Sequence, residues 1–568
     1  MQTNIWARRA LFGAGLLLLG ALTARASPPN QQYYQCDEQS GILCAEAREN
    51  PGAAEGYYVG HDEPSLLFYS NDPGSGFNQV YRMTLPKDPP LVPKQDGSGG
   101  TWNFQLHPAF WFGMAVCDDQ GDPNPGGSPG AGPNIPCAAD SDSNIYTDTS
   151  PSSSHYIGKH PGTAFMEMQF YPPGWVGNSA TATNWTAALN IDTFDDNANT
   201  GQNNNRACRM AVGTEYVNFA FIQTDGMPFP AGSPSPLGPP VQMNAKTLLM
   251  NGGDQLIVTL TDTPHGLKIT VRDLTTHQLG FMVASAANGF ASVLWDPNGT
   301  NCDFATHNLP HDFHPTYATS SELTRVPGAA HSYNIAFSDE IGHFEYCSSV
   351  PAGIGPCASD AANDPPARTA DDVVCIDPSL VPPPFIQIGG CVDSDVDFDG
   401  VGYRNGTWPG TFVDPLLDAQ FHAQPIVFSS PLFRDRDGND ENFSRVAFET
   451  DMPRIESATV PPCQRHLSNP SDPSPGSGCV NPPVGADFYP IYSVRFDASN
   501  GCLWEEGGPF LPGVLLNFGG SSATEYGTTP LALTYPASNG QPRQIYEDFR
   551  RVLAFNPCPR FGQDNDQQ

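Results

Sequence analysis

Histidine and acidic side chains are concentrated in one stretch of the chain, from His307 to Cys347. It contains five of the 13 histidines, spaced among aspartates and glutamates. Imidazole binds zinc, copper, iron and nickel, so three or four of these rings on one side of a fold could hold a transition metal. The alternative is that they form hydrogen bonds where loops meet strands, since no H-E-x-x-H motif is present. The predicted metal ligands of this stretch are His311, His314, His331 and His343.

A β-sandwich brings the ends of its loops together at a rim, and the histidine stretch contains a predicted strand over 332–337. We therefore expect His314, His331 and His343 to lie in one neighbourhood.

Alternating aspartates in the segment CVDSDVDFDG form a second candidate site. Asp395, Asp397 and Asp399, followed by the turning Gly400, match the first half of a calcium loop. Position twelve is Gly406 rather than glutamate, and no helices are predicted on either side, so the segment is not an EF-hand. The sequence predicts calcium at these three aspartates, in preference to a transition metal, with a solvated acidic turn as the alternative.

A third candidate site lies on the predicted strand Ala164–Tyr171, whose side chains alternate between the two faces. Many glycosidases place two carboxylates about 5–9 Å apart across a groove. We predict Glu167 as one catalytic carboxylate and Glu340 or Glu345 as the other. The alternative is a polar sheet face in water. The predicted substrate-binding residues are Gln169, Tyr171 and Trp175.

The elements that must position these residues are strands rather than helices. The 568 residues include 56 glycines and 58 prolines, which is typical of a loop-rich β protein. Strands are predicted at Gln255–Thr261, Leu267–Asp273 and Leu279–Ala284, joined by turn-forming residues. We expect a mainly β fold, an antiparallel two-sheet sandwich of jelly-roll or concanavalin-like type. Short helices are expected within Asn442–Ile455 and Tyr546–Leu553.

The N-terminus has the pattern of a secretory signal: Arg8 and Arg9 precede an apolar core, and Ala24-Arg25-Ala26 resembles a cleavage site. We therefore expect an exported protein, extracellular or periplasmic. No later segment approaches the length of a membrane span. The expected organisation is a signal peptide over 1–26, a β-sandwich domain over 27–347, a Pro/Gly-rich connector over 348–390 and a β-rich region over 391–568.

All 14 cysteines follow the predicted signal, and in an exported chain an even number favours disulfides that staple the long loops. Several pairs bracket turn-rich segments, and one could tie down the C-terminus. The predicted local pairs are Cys36/Cys44, Cys117/Cys137 and Cys463/Cys479, and the predicted pair at the C-terminus is Cys502/Cys558. The formal net charge of −34 argues against nucleic acid and anionic membrane as partners.

Several phrases of the sequence resemble a family of exported proteins without an assigned activity. They are HPAFWFGMAVCD, PGTAFMEMQFYPPGW, AAHSYNIAFSDEIGHFEYC, VDFDGVGY followed by TWPG, and ADFYPIYS before GCLW. This resemblance implies one secreted architecture over most of residues 101–560 and brings no catalytic residues with it. A looser pattern similarity links the strands over 165–171 and 256–284 to concanavalin-like sandwiches, although the E-x-D-x-x-E signature of one glucanase group in that fold is absent.

Three functions fit these observations. The first is an exported carbohydrate-binding or carbohydrate-active β-sandwich whose partner is a polysaccharide or glycan. The second is a non-catalytic, disulfide-stabilised surface or matrix protein. The third is a metal-dependent enzyme that uses the histidines of residues 307–347.

Overall fold

The structure is a computed structural model, and a defined part of the chain is described below. The described residues are 65–70, 72, 74–91, 102–103, 110–117, 163–174, 183–192, 196–197, 202–203, 216–230, 232, 235–236, 243–293, 308–315, 335–339, 343–344, 374–375, 391–393, 423–435, 437–451, 492–497, 501–506, 531–536, 542–552 and 556–558.

Nearly all regular structure in the described residues is β-strand, with a single 3-10 turn at Ala286–Asn288. The strands are β1 (Ser65–Tyr69), β2 (Asn78–Thr84), β3 (Phe110–Cys117), β4 (Thr163–Tyr171), β5 (Thr186–Asp192), β6 (Asp196–Asn197), β7 (Gln202–Asn203), β8 (Tyr216–Phe221), β9 (Ser235–Pro236), β10 (Gln255–Thr263), β11 (Gly266–Asp273), β12 (Leu279–Val283), β13 (Ala291–Val293), β14 (Asn308–Pro310), β15 (Ile335–Asp339), β16 (His343–Phe344), β17 (Val374–Cys375), β18 (Cys391–Asp393), β19 (Val427–Ser429), β20 (Leu432–Arg434), β21 (Asp440–Asn442), β22 (Arg445–Asp451), β23 (Tyr492–Asp497), β24 (Gly501–Glu506), β25 (Leu531–Pro536) and β26 (Pro542–Val552).

Two large antiparallel sheets dominate the fold. The ten-stranded sheet has the order β25-β26-β22-β1-β15-β3-β4-β5-β8-β9. The nine-stranded sheet has the order β12-β11-β10-β2-β19-β24-β23, and β20 and β21 extend it beside β2. The pairs β13-β14 and β6-β7 and the set β16-β18-β17 form small separate sheets. The predicted mainly β, two-sheet sandwich is confirmed.

Aromatic side chains from both sheets fill the space between them. Tyr81 of the nine-stranded sheet and Phe112 of the ten-stranded sheet have ring centroids 4.1 Å apart. Phe337 and Phe428 form a second pair across the sandwich, also at 4.1 Å. Alternate residues of each strand point to this core, and each large apolar side chain buried there stabilises the fold by roughly 1.5–3 kcal/mol. The core thus fixes which residues of each strand face outward.

Strands that follow residue 391 belong to the same two sheets as strands that precede residue 347. In the ten-stranded sheet β22 pairs with β1, and in the nine-stranded sheet β19 pairs with β2. The buried Cys502 on β24 forms a disulfide with Cys558, so this predicted pair is confirmed. No free cysteine occurs among the described residues.

The two predicted C-terminal helices are wrong. β22 occupies Arg445–Asp451 within the first predicted helix, and β26 occupies most of the second. The two strands pair with each other, for example at Asp451 and Asp548. Pairing with neighbouring strands supplies hydrogen bonds to the backbone N–H and C=O groups here, and this pairing overrides the local preference for helix. Among the described residues, no helix has the length and apolarity needed to cross a membrane.

Candidate functional site

Strand β4 places three polar side chains on the outward face of the ten-stranded sheet. Met166, Met168 and Phe170 point inward and are fully buried, as the alternation of a strand requires. Glu167 and Gln169 therefore point outward with Tyr171, and all three are half-buried. The predicted grouping of these three side chains on one face is confirmed by this pattern.

Hydrogen bonds join the three outward side chains of β4 in one direction. The hydroxyl of Tyr171 donates to Oε1 of Gln169. Nε2 of Gln169 then donates to Oε2 of Glu167 at 2.6 Å. The amide oxygen and nitrogen are both engaged, so the Gln169 side chain has a fixed orientation. The carboxylate of Glu167 is the acceptor in this contact and is held by its neighbour in the strand.

A continuous cross-strand row of side chains passes through Gln169 on this outward face. Trp111 of β3 lies beside Gln169, and Ser338 of β15 lies beside Trp111. Ser65 of β1 follows, and its Oγ is 2.6 Å from Oγ of Ser338. On the other side of Gln169 stands Ala188 of β5. Along the row, the side chains are thus two serine hydroxyls, the indole of Trp111, the amide of Gln169 and the methyl group of Ala188.

The next row, which passes through Glu167, is built from small residues on one side. Gly113 of β3 pairs with Glu167, and Ala336 of β15 pairs with Gly113. On its other side Glu167 pairs with Asn190 of β5. Gly113 and Ala336 are both buried. Because the neighbouring outward residues Trp111 and Ala336 are buried while Glu167 is half-buried, the carboxylate lies in a recess rather than on an open sheet face.

A carboxylate in such a recess can take up or release a proton during a reaction. Hydrolysis of a glycosidic bond needs a second carboxyl group. The predicted partners Glu340 and Glu345 lie outside the described residues, and so does the predicted platform Trp175. β15 ends at the buried Asp339, directly before Glu340 in the chain.

The structure places one predicted metal ligand, His314, against a carboxylate. Its Nδ1 is 2.7 Å from Oδ1 of Asp262 at the end of β10. A carboxylate at Nδ1 fixes the orientation of an imidazole and directs Nε2 toward another group. The buried Nε2 of His314 has no hydrogen-bond partner in the part of the chain that the structure describes. The arrangement orients His314 as a proton acceptor or a ligand.

The other histidines of this stretch are placed differently or are not described. The ring of His311 packs against Phe313 at a centroid distance of 4.9 Å. His331 lies outside the described residues, as do Asp395, Asp397 and Asp399. β16 begins at His343, which is the antiparallel partner of Asp393 on β18. No cluster of three metal-binding side chains occurs among the described residues.

Two buried carboxyl groups meet at the start of β10 and the end of β11. Burial raises the pKa of Asp254, and the adjacent Asp273 raises it further, against hydrogen bonds from Asn251. Burial alone would also raise the pKa of Asp273, but hydrogen bonds from Thr276 and Thr275 lower it below its usual range. The pair therefore keeps one proton on Asp254 over a wider pH range than an isolated aspartate would.

A second depression lies on the outward face of the nine-stranded sheet. It has a volume of ≈ 410 Å³ and is bordered by Arg82, Gln255, Leu274, Gln424 and Glu505. Its lining contains none of the residues predicted for catalysis, substrate or metal.

Sequence reasoning missed the residues beside Glu167 and Tyr171 on β5. Thr186 and Asn190 face outward because Ala187, Leu189 and Ile191 face the core. The alternation of polar and apolar residues in Thr186–Asp192 carried a signal for this outward face. What the sequence lacked was the register that puts Asn190 next to Glu167 and Thr186 next to Tyr171.

Comparison with known proteins does not assign the chain to a family. No family model matches the chain, and a search of curated proteins finds no significant match. Among solved structures, a scytalido-glutamic peptidase with a peptide-based transition state analog is 9% identical, with 67% of this chain and 82% of that chain covered and a TM-score of 0.18. SCP-B, a member of the eqolisin family of peptidases in complex with the tripeptide Ala-Ile-His, is 8% identical over the same shares, also with a TM-score of 0.18. Scores this low carry no inference about fold or activity.

Proposed function

We propose that this chain is an exported carbohydrate-active protein that binds a glycan in the recess around Glu167. The observation that supports this most directly is the series of hydrogen bonds from Tyr171 through Gln169 to Glu167. Planar amide and carboxylate groups can each hydrogen-bond two neighbouring hydroxyls of a sugar, and a carboxylate also serves as an acid or base. All three side chains are half-buried and so retain access to a ligand.

In the proposed reaction, the two carboxyl groups divide the proton transfers of glycoside hydrolysis. One carboxyl gives its proton to the leaving glycosidic oxygen as the bond to the anomeric carbon breaks. Water supplies a hydroxyl to that carbon, and the proton released from water passes to the other carboxylate. We assign one role to Glu167 and keep Glu340 or Glu345 as the proposed second group.

The proposal is tested with the mature full-length chain and a panel of soluble plant, fungal and bacterial polysaccharides. Release of reducing ends and retention on immobilised polysaccharide are measured for the wild type and for Glu167→Gln. The proposal predicts that one polysaccharide class is bound or cleaved, and that cleavage falls at least about 100-fold in the variant, the order of magnitude supplied by a general acid or base. Binding to a peptide panel with no response to any glycan would contradict it.

We also propose calcium as a structural ligand at Asp395, Asp397 and Asp399, on the spacing of their carboxylates. A cation that binds the native state stabilises it by mass action. Millimolar Ca²⁺ should therefore raise the melting temperature above that in EDTA, and the triple Asp→Asn variant should abolish the difference. Equal melting temperatures of the wild type in Ca²⁺ and EDTA would contradict the calcium site.

A further inference from the structure

Two exposed arginines stand in one cross-strand row on the outward face of the nine-stranded sheet. Arg272 of β11 and Arg82 of β2 are both antiparallel partners of Ile257, which lies on the strand between them. All three face outward, because the adjacent residues of each strand are buried in the core. Two interstrand spacings separate the two arginine positions, which corresponds to about 10 Å. This face therefore carries two positive charges at a separation that the sheet fixes.

Neither guanidinium group has an ion-pair partner within the part of the chain that the structure describes. The ion pairs found between described residues involve other cations. The chain has 60 acidic residues and only 26 lysines and arginines, so carboxylates are plentiful relative to the cations. Two arginines of one row that are exposed and unpaired in such a chain are available to an anion from outside.

The depression on this face, described above, is bordered by Arg82. Its volume of ≈ 410 Å³ lies toward the lower end of the range for ligand pockets, about 300–1,000 Å³. Gln255 and Gln424 are exposed at its border, and Leu274 and Val427 contribute apolar surface. A guanidinium group can bind a carboxylate through two parallel hydrogen bonds, and an amide can bond neighbouring hydroxyls. Together with the apolar surface for C–H groups, this lining matches the chemistry of an acidic sugar.

Two carboxylates at the other end of the depression set the direction of an anionic ligand. Asp497 and Glu505 border it, and each already interacts with another group. They belong to β23 and β24, which lie on the opposite side of β2 from β10 and β11. An anionic group is repelled at that end and attracted toward Arg82 and Arg272. The more distant negative charges of the protein act weakly, because the Debye length is about 8 Å at physiological salt.

The position of the row within the sheet favours a glycan over an acidic peptide. An extended peptide binds a sheet mainly through backbone hydrogen bonds at an exposed edge strand. β2 and β10 are interior strands, each paired on both sides. Their backbone groups are therefore engaged in the sheet, and recognition on this face depends on side chains alone. Guanidinium, amide and hydroxyl groups suit the carboxylates and hydroxyls of a sugar acid.

We infer that this face is a second binding site, and that it takes an oligosaccharide of uronic acids. One carboxylate is bound by Arg82, with its ring in the depression, and another carboxylate is bound by Arg272. A single ring carries one carboxylate and engages one arginine, so the ligand has two or more rings. The surface belongs to the other sheet from Glu167, and the inference does not rest on the proposed function.

The test measures affinity by calorimetry with the mature full-length chain and uronate oligomers of one to four rings from pectin, alginate and hyaluronan. Each oligomer is compared with its neutral, carboxyl-reduced counterpart, and hexaglutamate serves as an acidic peptide. One acidic series should bind, and its neutral counterpart should bind at least about tenfold more weakly, because the charge-assisted hydrogen bonds are lost. Affinity should rise from one ring to three, as a second carboxylate reaches Arg272, and should fall with added salt.

Arg82→Gln and Arg272→Gln should each lower the affinity for the three-ring oligomer at least about tenfold. Arg82→Lys should retain part of the affinity, because it keeps the charge and loses the planar fork. The single ring should respond to Arg82→Gln and not to Arg272→Gln. The matched control is Arg434→Gln, an exposed arginine on β20 of the same sheet that already pairs with Asp440, and it should bind as the wild type does. Melting temperatures should change little, since these side chains are exposed.

Four results would overturn the inference. Failure of every uronate oligomer to bind the wild type would refute the site, and so would equal affinity for acidic and neutral oligomers. Wild-type affinity in both Arg82→Gln and Arg272→Gln would show that the acidic oligomer binds elsewhere. Tighter binding of hexaglutamate than of any uronate oligomer would assign the face to an acidic peptide. Each of these results leaves the proposal for Glu167 untouched, because that proposal is tested with Glu167→Gln.

Discussion

Nε2 of Gln169 donates a 2.6 Å hydrogen bond to Oε2 of Glu167, two residues earlier on the same strand. Residues at this spacing point to the same face of a sheet, so the contact follows from the strand itself. Tyr171, two residues further on, donates to the other end of the Gln169 amide. The three side chains consequently act as one unit whose orientation is set by β4.

Gln169→Leu should weaken glycan binding and any cleavage by roughly 10- to 100-fold, because hydrogen bonds to a charged group contribute about 1.5–3 kcal/mol. Tyr171→Phe should have a smaller effect, because its hydroxyl bonds a neutral amide. Affinity from calorimetry and melting temperature are measured together. The control Gln278→Leu changes an exposed glutamine in the turn between β11 and β12. Equal losses in Gln169→Leu and the control would contradict the role of the Glu167 contact.

Asp254→Asn should raise the melting temperature by a few degrees at neutral pH and change it little in acid. The raised pKa of Asp254 means that the folded state holds its proton more tightly than the unfolded state does. The stability from that proton is therefore complete below the ordinary aspartate pKa and is lost as pH rises through the raised pKa. An asparagine keeps the neutral form at every pH.

The lowered pKa of Asp273 has the opposite consequence. Its stabilisation is present above the ordinary aspartate pKa and is lost as pH falls through the lowered one. Asp273→Asn should therefore lower the melting temperature at neutral pH, with a smaller effect in strong acid. Unfolding curves of both variants from pH 3 to pH 8 provide the measurement. A stabilised Asp273→Asn variant at neutral pH would show that the assignment of the proton to Asp254 is wrong.

Removing the disulfide between Cys502 and Cys558 should lower the free energy of unfolding by roughly 2–4 kcal/mol. The bond links positions 56 residues apart, so it restricts a long loop of the unfolded chain. The double variant Cys502→Ala, Cys558→Ala avoids a free thiol. Its denaturant unfolding is compared with that of the oxidised wild type. A difference below about 0.5 kcal/mol would be inconsistent with the bond as a stabilising link.

Gly266→Ala should destabilise the fold far more than Gly438→Ala. Both glycines have a positive φ, +101° and +87°, so both substitutions carry the backbone cost of about 1 kcal/mol. A Cβ at Gly266 would lie 2.3 Å from the backbone oxygen of Ala284, whereas at Gly438 it would meet nothing within 4 Å. The difference between the two melting temperatures isolates the steric contribution. Similar values would indicate that the turn at Gly266 can move.

Much of the fold follows from local pattern. Local sequence was enough to predict the strand Ser65–Tyr69 and the alternation of Glu167, Gln169 and Tyr171. A strand is indicated by the types of residues that follow one another in the chain. The strands at 445–451 and 542–552 were not, since they depend on pairing with each other and with β1. Short helices were expected in these segments, and the strand β1 that pairs with β22 lies more than 300 residues earlier in the chain.

The candidate site shows the same division. The sequence offered Glu167 as a candidate, but it contained no sign that Gly113 and Asn190 would stand on either side of it. Those neighbours come from strands separated by long connections, and their register is set by the packing of buried side chains. Predicting the recess requires the sheet order, which local reasoning does not supply.

The most direct test of the proposed glycan site is the affinity of Glu167→Gln, measured by calorimetry with the oligosaccharide that binds the wild type most tightly. The recess around Glu167 predicts that this isosteric loss of charge reduces affinity at least tenfold without lowering the melting temperature. The control Glu441→Gln, on β21 of the other sheet, should bind as the wild type does. Wild-type affinity in Glu167→Gln, together with unchanged cleavage, would contradict the account.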